Sequence, residues 1–185
     1  KVKNAGIDFA LVRVSYGLTH MDNTYDYNMT QAELAGVPVG TYVFSTATNT
    51  ETALKEAKLA ISKMDGYKVS YPVVYDLEYS GMQKLSSTEI SRLALTFCNE
   101  VRKAGYYPMV YCNTYWHDTY VDWSLLPGVD VWIARYGDEI QAPDADRYSY
   151  TIWQATDGNT ASGLNSTKGL IPGIPSENDV DVDFG

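Results

Sequence analysis

Two carboxylates stand two positions apart at the end of an apolar run. The stretch YPVVYDLEY, residues 71–79, has strand-forming residues as far as Tyr75 and then carries Asp76 and Glu78. Side chains two apart on a strand point to the same face, with Cα atoms roughly 6.5 Å apart. Because neighbouring carboxylates repel, we expect one to have a raised pKa, to keep a proton and to act as a general acid beside an anionic partner.

This division of roles suits the cleavage of a glycosidic bond. One carboxyl protonates the leaving oxygen, and the other supplies negative charge near the developing oxocarbenium ion. The spacing alone leaves a second interpretation open, in which the two side chains are solvated at a strand end or paired with Arg13 or Arg135.

Strand and helix patterns alternate along the chain and would place both carboxylates at one edge of a sheet. Strands are predicted at 9–17, 37–45, 71–78, 106–113, 129–137, 150–156 and 179–185, helices at 24–36, 49–66 and 86–105, and a long surface loop at 157–178. The early β–α–β order predicts parallel strands, whose carboxyl ends are where such folds carry chemistry. An open doubly wound sheet and a (β/α) barrel both fit this α/β pattern.

Composition narrows the function further. The chain has 185 residues, which favours one domain, and a net charge of −9, which argues against nucleic acid and anionic membranes as partners. No apolar run is long enough to span a bilayer. The 16 tyrosines suit an aromatic-lined sugar cleft, although core packing explains many such rings equally well.

The sequence predicts no metal or organic cofactor. Cys98 and Cys112 are expected to be free, buried thiols, and His20 and His117 are too far apart in sequence to form a zinc motif. No glycine-rich dinucleotide or phosphate fingerprint follows the first predicted strand.

An ordered set of motifs resembles the lysozyme-type muramidases (N-acetylmuramidases) of glycoside hydrolase family 25. The matching stretches, in chain order, are AGIDFALVRVSYG, DYNMTQAELAGVPVGTYVFS, PVVYDLE with its D-x-E, FCNEVRKAGYYPMVYCNTYW, LPGVDVWIARYG, TIWQAT and DVDVDFG. Single pieces are weak, but the ordered set, centred on D-x-E with a Trp-Gln and a terminal acidic strand, is specific.

The resemblance implies an irregular, TIM-barrel-like (β/α) barrel with helices mainly in its first half. It implies hydrolysis of the β-1,4 bond between N-acetylmuramic acid and N-acetylglucosamine in bacterial peptidoglycan. In that chemistry Glu78 would be the general acid, and Asp76 would assist the N-acetyl group of the substrate. Asp181 would face the same groove from the last strand.

Further expectations rest on the same resemblance. Residues at matching strand ends would line the sugar subsites: Tyr42, Tyr111, Asn113, Tyr136, Trp153 and Gln154. The partner would be peptidoglycan glycan, with a separate wall-binding module in the full-length protein, and the location would be secreted, extracellular or the cell wall.

One family feature is missing from this sequence. Family members begin with a strand that carries an aspartate, whereas GIDFA at 6–10 leads into the second family strand, so Asp8 is not assigned a catalytic role. We therefore expect 1–185 to form a single muramidase-like catalytic domain that is incomplete at its N-terminus. The alternatives are a catalytically weak wall-binding domain of the same fold and a glycosidase acting on chitin-like glycans.

Overall fold

The computed structural model describes residues 1–137, 141–158, 172 and 180–185. Eight strands occur in this part: β1 (Ala10–Tyr16), β2 (His20–Met21), β3 (Val39–Phe44), β4 (Val69–Asp76), β5 (Pro108–Asn113), β6 (Asp130–Ala134), β7 (Ile152–Thr156) and β8 (Val182–Phe184). Its four α-helices are α1 (Tyr25–Ala35), α2 (Thr50–Met64), α3 (Ser87–Lys103) and α4 (Thr114–Thr119). All seven predicted strands and all three predicted helices therefore exist, whereas the two-residue β2 and the short α4 were not predicted.

The strands form one sheet in the order β2-β1-β3-β4-β5-β6-β7-β8. The six strands from β1 through β3 to β7 pair in parallel, as the alternating pattern predicted. Strands β2 and β8 are antiparallel to their neighbours at the two ends. The sheet is curled into a half-barrel.

Side-chain caps fix the first residues of the two longest helices, α2 and α3. The side chain of Asn49 caps α2 by accepting a hydrogen bond from the backbone N–H of Thr52. A reciprocal capping box between Ser86 and Glu89 starts α3. An apolar stripe of α3 is buried against the sheet and α2, and consists of Ile90, Leu93, Ala94, Phe97 and Val101.

Apolar side chains cover both faces of the sheet. One face packs against helices α1, α2 and α3 in the larger cluster of buried residues. The other face carries a smaller cluster of buried side chains: Val74, Met109, Tyr111, Trp132, Ala134 and Ile152. Strands buried on both faces explain the nearly continuous apolar runs in the sequence.

The described residues do not close the sheet into a barrel. A cavity of about 1270 Å³ lies between β1 and β8 and is lined by Leu11, Arg13, Asp181 and Asp183, among others. The closed TIM-barrel-like form and the additional first strand remain predictions. The predicted loop at 157–178 falls almost entirely outside the described residues. Among the described helices, none has both the length and the apolar character needed to cross a membrane.

Candidate active site

Backbone hydrogen bonds hold the end of β4 between its two neighbours. The carbonyl of Asp76 accepts from the N–H of Ser45, which follows β3, at 3.1 Å. The N–H of Leu77 donates to the carbonyl of Tyr111 in β5 at 2.9 Å. The regular strand ends at Asp76 rather than at residue 78 as predicted, so Glu78 lies two residues beyond it.

A cavity of about 450 Å³ lies at the carboxyl ends of the parallel strands. It contains most of the predicted site residues: Asp76, Glu78, Asp181, Tyr42, Tyr111, Tyr136 and Gln154. Three acidic side chains from β4, the segment after it and the segment before β8 therefore face one space. The larger cavity lacks Asp76 and Glu78, so the smaller one is the candidate active site.

Two predicted sugar contacts do not line this cavity. Trp153 is buried, and its indole N–H donates to the carbonyl of Arg135 at 3.0 Å. Because adjacent residues on a strand face opposite sides, Trp153 and Gln154 could not both reach the cavity. Asn113 instead caps α4, accepting from the N–H of Trp116 at 2.9 Å.

Burial dominates the electrostatics of the two central carboxylates. Asp76 is 4% exposed, and burial followed by the charge of Glu78 raises its pKa well above the ordinary range. Burial followed by the charge of Asp181 raises the pKa of Glu78. We predicted mutual repulsion as the cause, but loss of solvent is the larger effect and acts on both groups.

The central carboxylates are not in ion pairs within the described part of the chain. Arg13, one of the two candidate partners, pairs with Asp22 at 3.1 Å. Arg135, the other, donates to the carbonyl of Gln141 at 2.7 Å. Asp76 Oδ1 has no hydrogen-bond partner among the described residues although it is buried. A buried, unpaired carboxyl oxygen favours the protonated state or awaits a donor from a ligand.

The terminal acidic segment contributes two more carboxyls with raised pKa values. Burial raises the pKa of Asp181 to about 6, with a smaller contribution from the charge of Asp157. Burial raises the pKa of Asp183 to about 7, although a hydrogen bond from the Trp132 indole at 2.8 Å opposes the rise. Four neighbouring carboxyls, those of Asp76, Glu78, Asp181 and Asp183, thus have raised pKa values.

Gln154 links two tyrosines to Asp181. Its side-chain oxygen accepts from the hydroxyl of Tyr111 at 2.7 Å and also from the hydroxyl of Tyr136. Two donors on the oxygen fix the orientation of the amide, so that its nitrogen donates to Asp181 Oδ2 at 2.9 Å. Gln154 lines the cavity although it is only 3% exposed, and its hydrogen bonds support the acidic group; its contact with sugar stays a prediction.

The sequence reasoning did not assign Arg13, Tyr16, Phe44, Trp132 or Asp157, which also line the cavity. The omission of Tyr16 has a specific cause. The pairing of β1 with β3 shifts between Arg13 and Ser15, and strict alternation cannot reveal such an irregularity. The signal available in the sequence was only the position of SYG at the end of a predicted strand.

The described residues contain no group of three or more His, Cys, Asp or Glu side chains that could hold a metal ion. Cys98 and Cys112 are free and buried, as predicted. Burial raises the pKa of the Cys98 thiol to about 12, which makes it a poor nucleophile. The side chains that line the cavity offer carboxyl, hydroxyl, amide and guanidinium groups.

Comparison with known proteins identifies the family of this chain. The model of the glycosyl hydrolases family 25 matches residues 1–164. The chain belongs to this family. The matched range includes Asp76 and Glu78 but ends before Asp181 and Asp183. A role for Asp181 or Asp183 in the site is therefore argued only from the geometry of this chain.

Individual relatives show the same affiliation. The "autolytic lysozyme" of Clostridium acetobutylicum is 26% identical over 169 residues, which are 91% of this chain and 49% of that protein. This family-25 chain thus spans about half the length of that relative. The CTP1L endolysin crystal structure has a TM-score of 0.78 and 25% identity, covering 99% of this chain and 59% of its own.

A muramidase from Trichobolus zukalii has a TM-score of 0.73 and 23% identity, covering 100% of this chain and 86% of its own. That likeness shows the fold. The predicted α/β fold class is thereby confirmed at the level of a curled half-barrel, and the irregular (β/α) barrel that the resemblance implied stays a prediction.

Proposed function

We propose that this family-25 chain is a peptidoglycan hydrolase that cleaves the β-1,4 bond between N-acetylmuramic acid and N-acetylglucosamine. The observation that carries the proposal is the convergence of Asp76, Glu78 and Asp181 on one cavity at the strand ends. Similarity to an autolytic lysozyme and to an endolysin supports a substrate in the bacterial cell wall.

Glu78 is the proposed proton donor. It is less buried than Asp76, it faces the cavity, and its raised pKa keeps a proton available. In the first step its proton passes to the glycosidic oxygen as the bond from that oxygen to the sugar C1 breaks. The alcohol leaves with the proton, and Glu78 becomes a carboxylate that can later accept a proton from water.

Asp76 is the proposed partner of the N-acetyl group of the substrate. Its buried Oδ1 lacks a hydrogen-bond partner among the described residues and can accept from the acetamide N–H. The acetamide oxygen then attacks C1 and closes a five-membered ring whose positive charge Asp76 and Asp181 stabilise. Water opens this ring and gives its proton to Glu78, so two successive displacements at C1 predict retained configuration.

A location outside the cell or at the cell wall belongs to the same proposal, as does a separate wall-binding module in the full-length protein. The autolytic lysozyme of Clostridium acetobutylicum is about twice as long as the segment it shares with this chain, which leaves room for such a module there. The net charge of −9 would slow approach to an anionic wall, so a separate targeting module has a physical use.

The test compares Glu78→Gln and Asp76→Asn with Glu33→Gln, a control on the exposed surface of α1. Purified peptidoglycan is the substrate, and new reducing ends are counted while circular dichroism checks folding. Glu78→Gln should lower kcat by about a thousandfold or more, since it removes the proton donor, and Asp76→Asn by about a hundredfold. Glu33→Gln should leave kcat unchanged.

Near-normal turnover by folded Glu78→Gln would contradict the assignment. If the unsubstituted protein binds insoluble peptidoglycan without producing reducing ends, the wall-binding alternative is correct instead. Cleavage of chitin fragments in preference to peptidoglycan would point to the chitin-like alternative, and product analysis on defined oligosaccharides distinguishes them.

A further inference from the structure

The register shift in β1 places two side chains of that strand, Arg13 and Tyr16, in the active-site cavity. Arg13 pairs with Tyr42 of β3, and after the register shift Tyr16 pairs with Phe44. All four of these residues line the cavity. Arg13 and Tyr16 are three positions apart, so a regular strand would have placed them on opposite faces. The extra residue at the shift brings both side chains to the same cavity.

Arg13 is held in place by an ion pair with Asp22, which Thr24 in turn orients. Its Nε donates to Asp22 Oδ2 at 3.1 Å, and a terminal nitrogen lies at the same distance from that oxygen. Asp22 Oδ1 accepts from the N–H and the hydroxyl of Thr24 at 2.9 and 2.7 Å. Although burial alone would raise the pKa of Asp22, these bonds and the charge of Arg13 lower it on balance.

The ion pair with Asp22 therefore orients the guanidinium of Arg13 and leaves part of it accessible to a ligand. The Arg13 side chain remains 48% exposed. Among the described residues that line the cavity, it is the one Lys, Arg or His, whereas Asp76, Glu78, Asp157 and Asp181 are acidic. Arg13 is therefore the one cationic partner that the described lining of the cavity offers to an anionic group.

Tyr16 provides a firm aromatic surface next to this cation. Its ring stacks on Phe44 with centroids 4.4 Å apart and planes 14° from parallel, and it remains 40% exposed. Gly17 turns the chain directly after it with φ of +58°, and its N–H donates to the Phe44 carbonyl at 2.8 Å. An aromatic face held in this way suits the apolar face of a sugar ring.

We propose that Arg13 and Tyr16 form a subsite for a sugar that carries a carboxylate, with the ring on Tyr16 and the acid on Arg13. The proposal rests on the proposed function and adds to it a residue-level basis for substrate choice. N-acetylmuramic acid carries a lactyl acid that N-acetylglucosamine lacks. Arg13 would thus distinguish muramic acid glycans with free lactyl carboxylates from chitin, while Tyr16 would bind both.

The test measures binding by calorimetry to the Glu78→Gln protein, so that turnover does not interfere. One ligand is a peptide-free glycan fragment of alternating N-acetylglucosamine and N-acetylmuramic acid with free lactyl carboxylates, and the other is a chitin fragment of equal length. Arg13→Gln should weaken binding of the first about tenfold and of the second less than twofold. Tyr16→Ala should weaken both about fivefold to tenfold.

Two matched controls should leave both affinities unchanged. Lys55→Gln removes a cation from an exposed pair with Glu51 on α2. Tyr107→Ala removes an exposed tyrosine immediately before β5, at the amino-terminal ends of the strands, whereas the cavity lies at their carboxyl ends. If Arg13→Gln does not fold, Arg13→Lys replaces it, with an expected loss of about threefold for the muramic acid glycan alone.

The subsite is refuted if the Arg13 variant weakens both glycans equally or neither, or if Tyr16→Ala changes neither affinity. Failure of the parent Glu78→Gln protein to bind either glycan also refutes it. These outcomes are independent of catalysis, because Glu78→Gln that still turns over peptidoglycan would overturn the proposed acid without altering the ratio of the two affinities.

Discussion

A buried glutamate behind the active site offers a sharp test of how the carboxylates are positioned. Glu56 of α2 is fully buried and accepts three hydrogen bonds. The donors are the hydroxyls of Ser45 and Tyr75, both at 2.8 Å, and the N–H of Thr46 at 3.0 Å. Ser45 and Thr46 follow β3, and Tyr75 immediately precedes Asp76, so Glu56 ties one helix to two strand ends at the site.

Glu56→Ala removes all three interactions. Without Glu56 the hydroxyls of Ser45 and Tyr75, which lie 2.7 Å apart, can hydrogen-bond to each other, but the N–H of Thr46 loses its side-chain acceptor. Hydrogen bonds to a charged acceptor contribute about 1.5–3 kcal/mol each, and relief from burying a carboxylate offsets part of the loss. We therefore expect a net loss of about 3 kcal/mol, which lowers Tm by roughly 6–12 °C for a domain of this size.

Glu56→Gln separates shape from charge. The amide oxygen can still accept from Thr46 and the amide nitrogen can donate to the two hydroxyls, so the expected cost is about 1 kcal/mol. Burial raises the pKa of Glu56 above its ordinary value of 4.5. The stability that Glu56 contributes is therefore complete below pH 4.5 and is lost as the pH rises through the raised pKa. The difference in free energy of unfolding between the unsubstituted protein and Glu56→Gln should therefore become smaller as the pH rises.

Urea unfolding and calorimetry at acidic and neutral pH measure both effects, and peptidoglycan turnover reports whether Asp76 stays in position. Glu56→Ala should lower kcat more than KM changes, since it displaces the end of β4 rather than a sugar contact. A Tm within 2 °C of the unsubstituted protein for Glu56→Ala, or equal losses for the Ala and Gln variants, would refute this reasoning.

Three further predictions follow from single contacts. Gln154→Leu removes the donor to Asp181 and should raise the pKa of that carboxyl above about 6, which a pH–rate profile would show as a shifted limb; an unchanged profile contradicts this. Because burial raises the pKa of Asp183 to about 7, stability should fall as the pH rises towards 7, and Asp183→Asn should reduce this fall in urea unfolding. Gly40→Ala would place Cβ 2.4 Å from the Pro72 carbonyl oxygen and should cost about 3 kcal/mol; a thermal melt close to that of the unsubstituted protein would show that the strands can separate.

Much of the fold was predictable because short-range sequence patterns indicate the same helices and strands that the structure contains. The start of α3 is a capping box between Ser86 and Glu89, which are three positions apart, and the helix was predicted to begin at residue 86. The pair Asp76 and Glu78 was predicted to share a face at a strand end, and both line one cavity. Such features depend on spacing of two to four residues, which a sequence displays directly.

Other parts of the site depend on distant partners. The register shift in β1 arises from its pairing with β3, and therefore the placement of Tyr16 beside Arg13 has no local signature. Asn113 is the last residue of β5, as the sequence predicted, but the cap it provides for α4 becomes visible only when that short helix is known. Gln154 reaches Asp181 across 27 positions of the chain, a contact that no single-sequence pattern encodes.

The two like charges at the end of a core strand are maintained by the sheet around them rather than by their own repulsion. The carbonyl of Asp76 is tied to Ser45, which hydrogen-bonds to Glu56 behind the sheet. Asp181 is tied to Gln154 on the cavity side. Because solvent is excluded at these strand ends, the pKa values of several carboxyls rise together, and repulsion between the carboxylates adds a smaller contribution. A substitution on either side of the sheet that admits water should therefore lower the pKa values of the site and weaken the proton donor, even where it touches neither carboxylate.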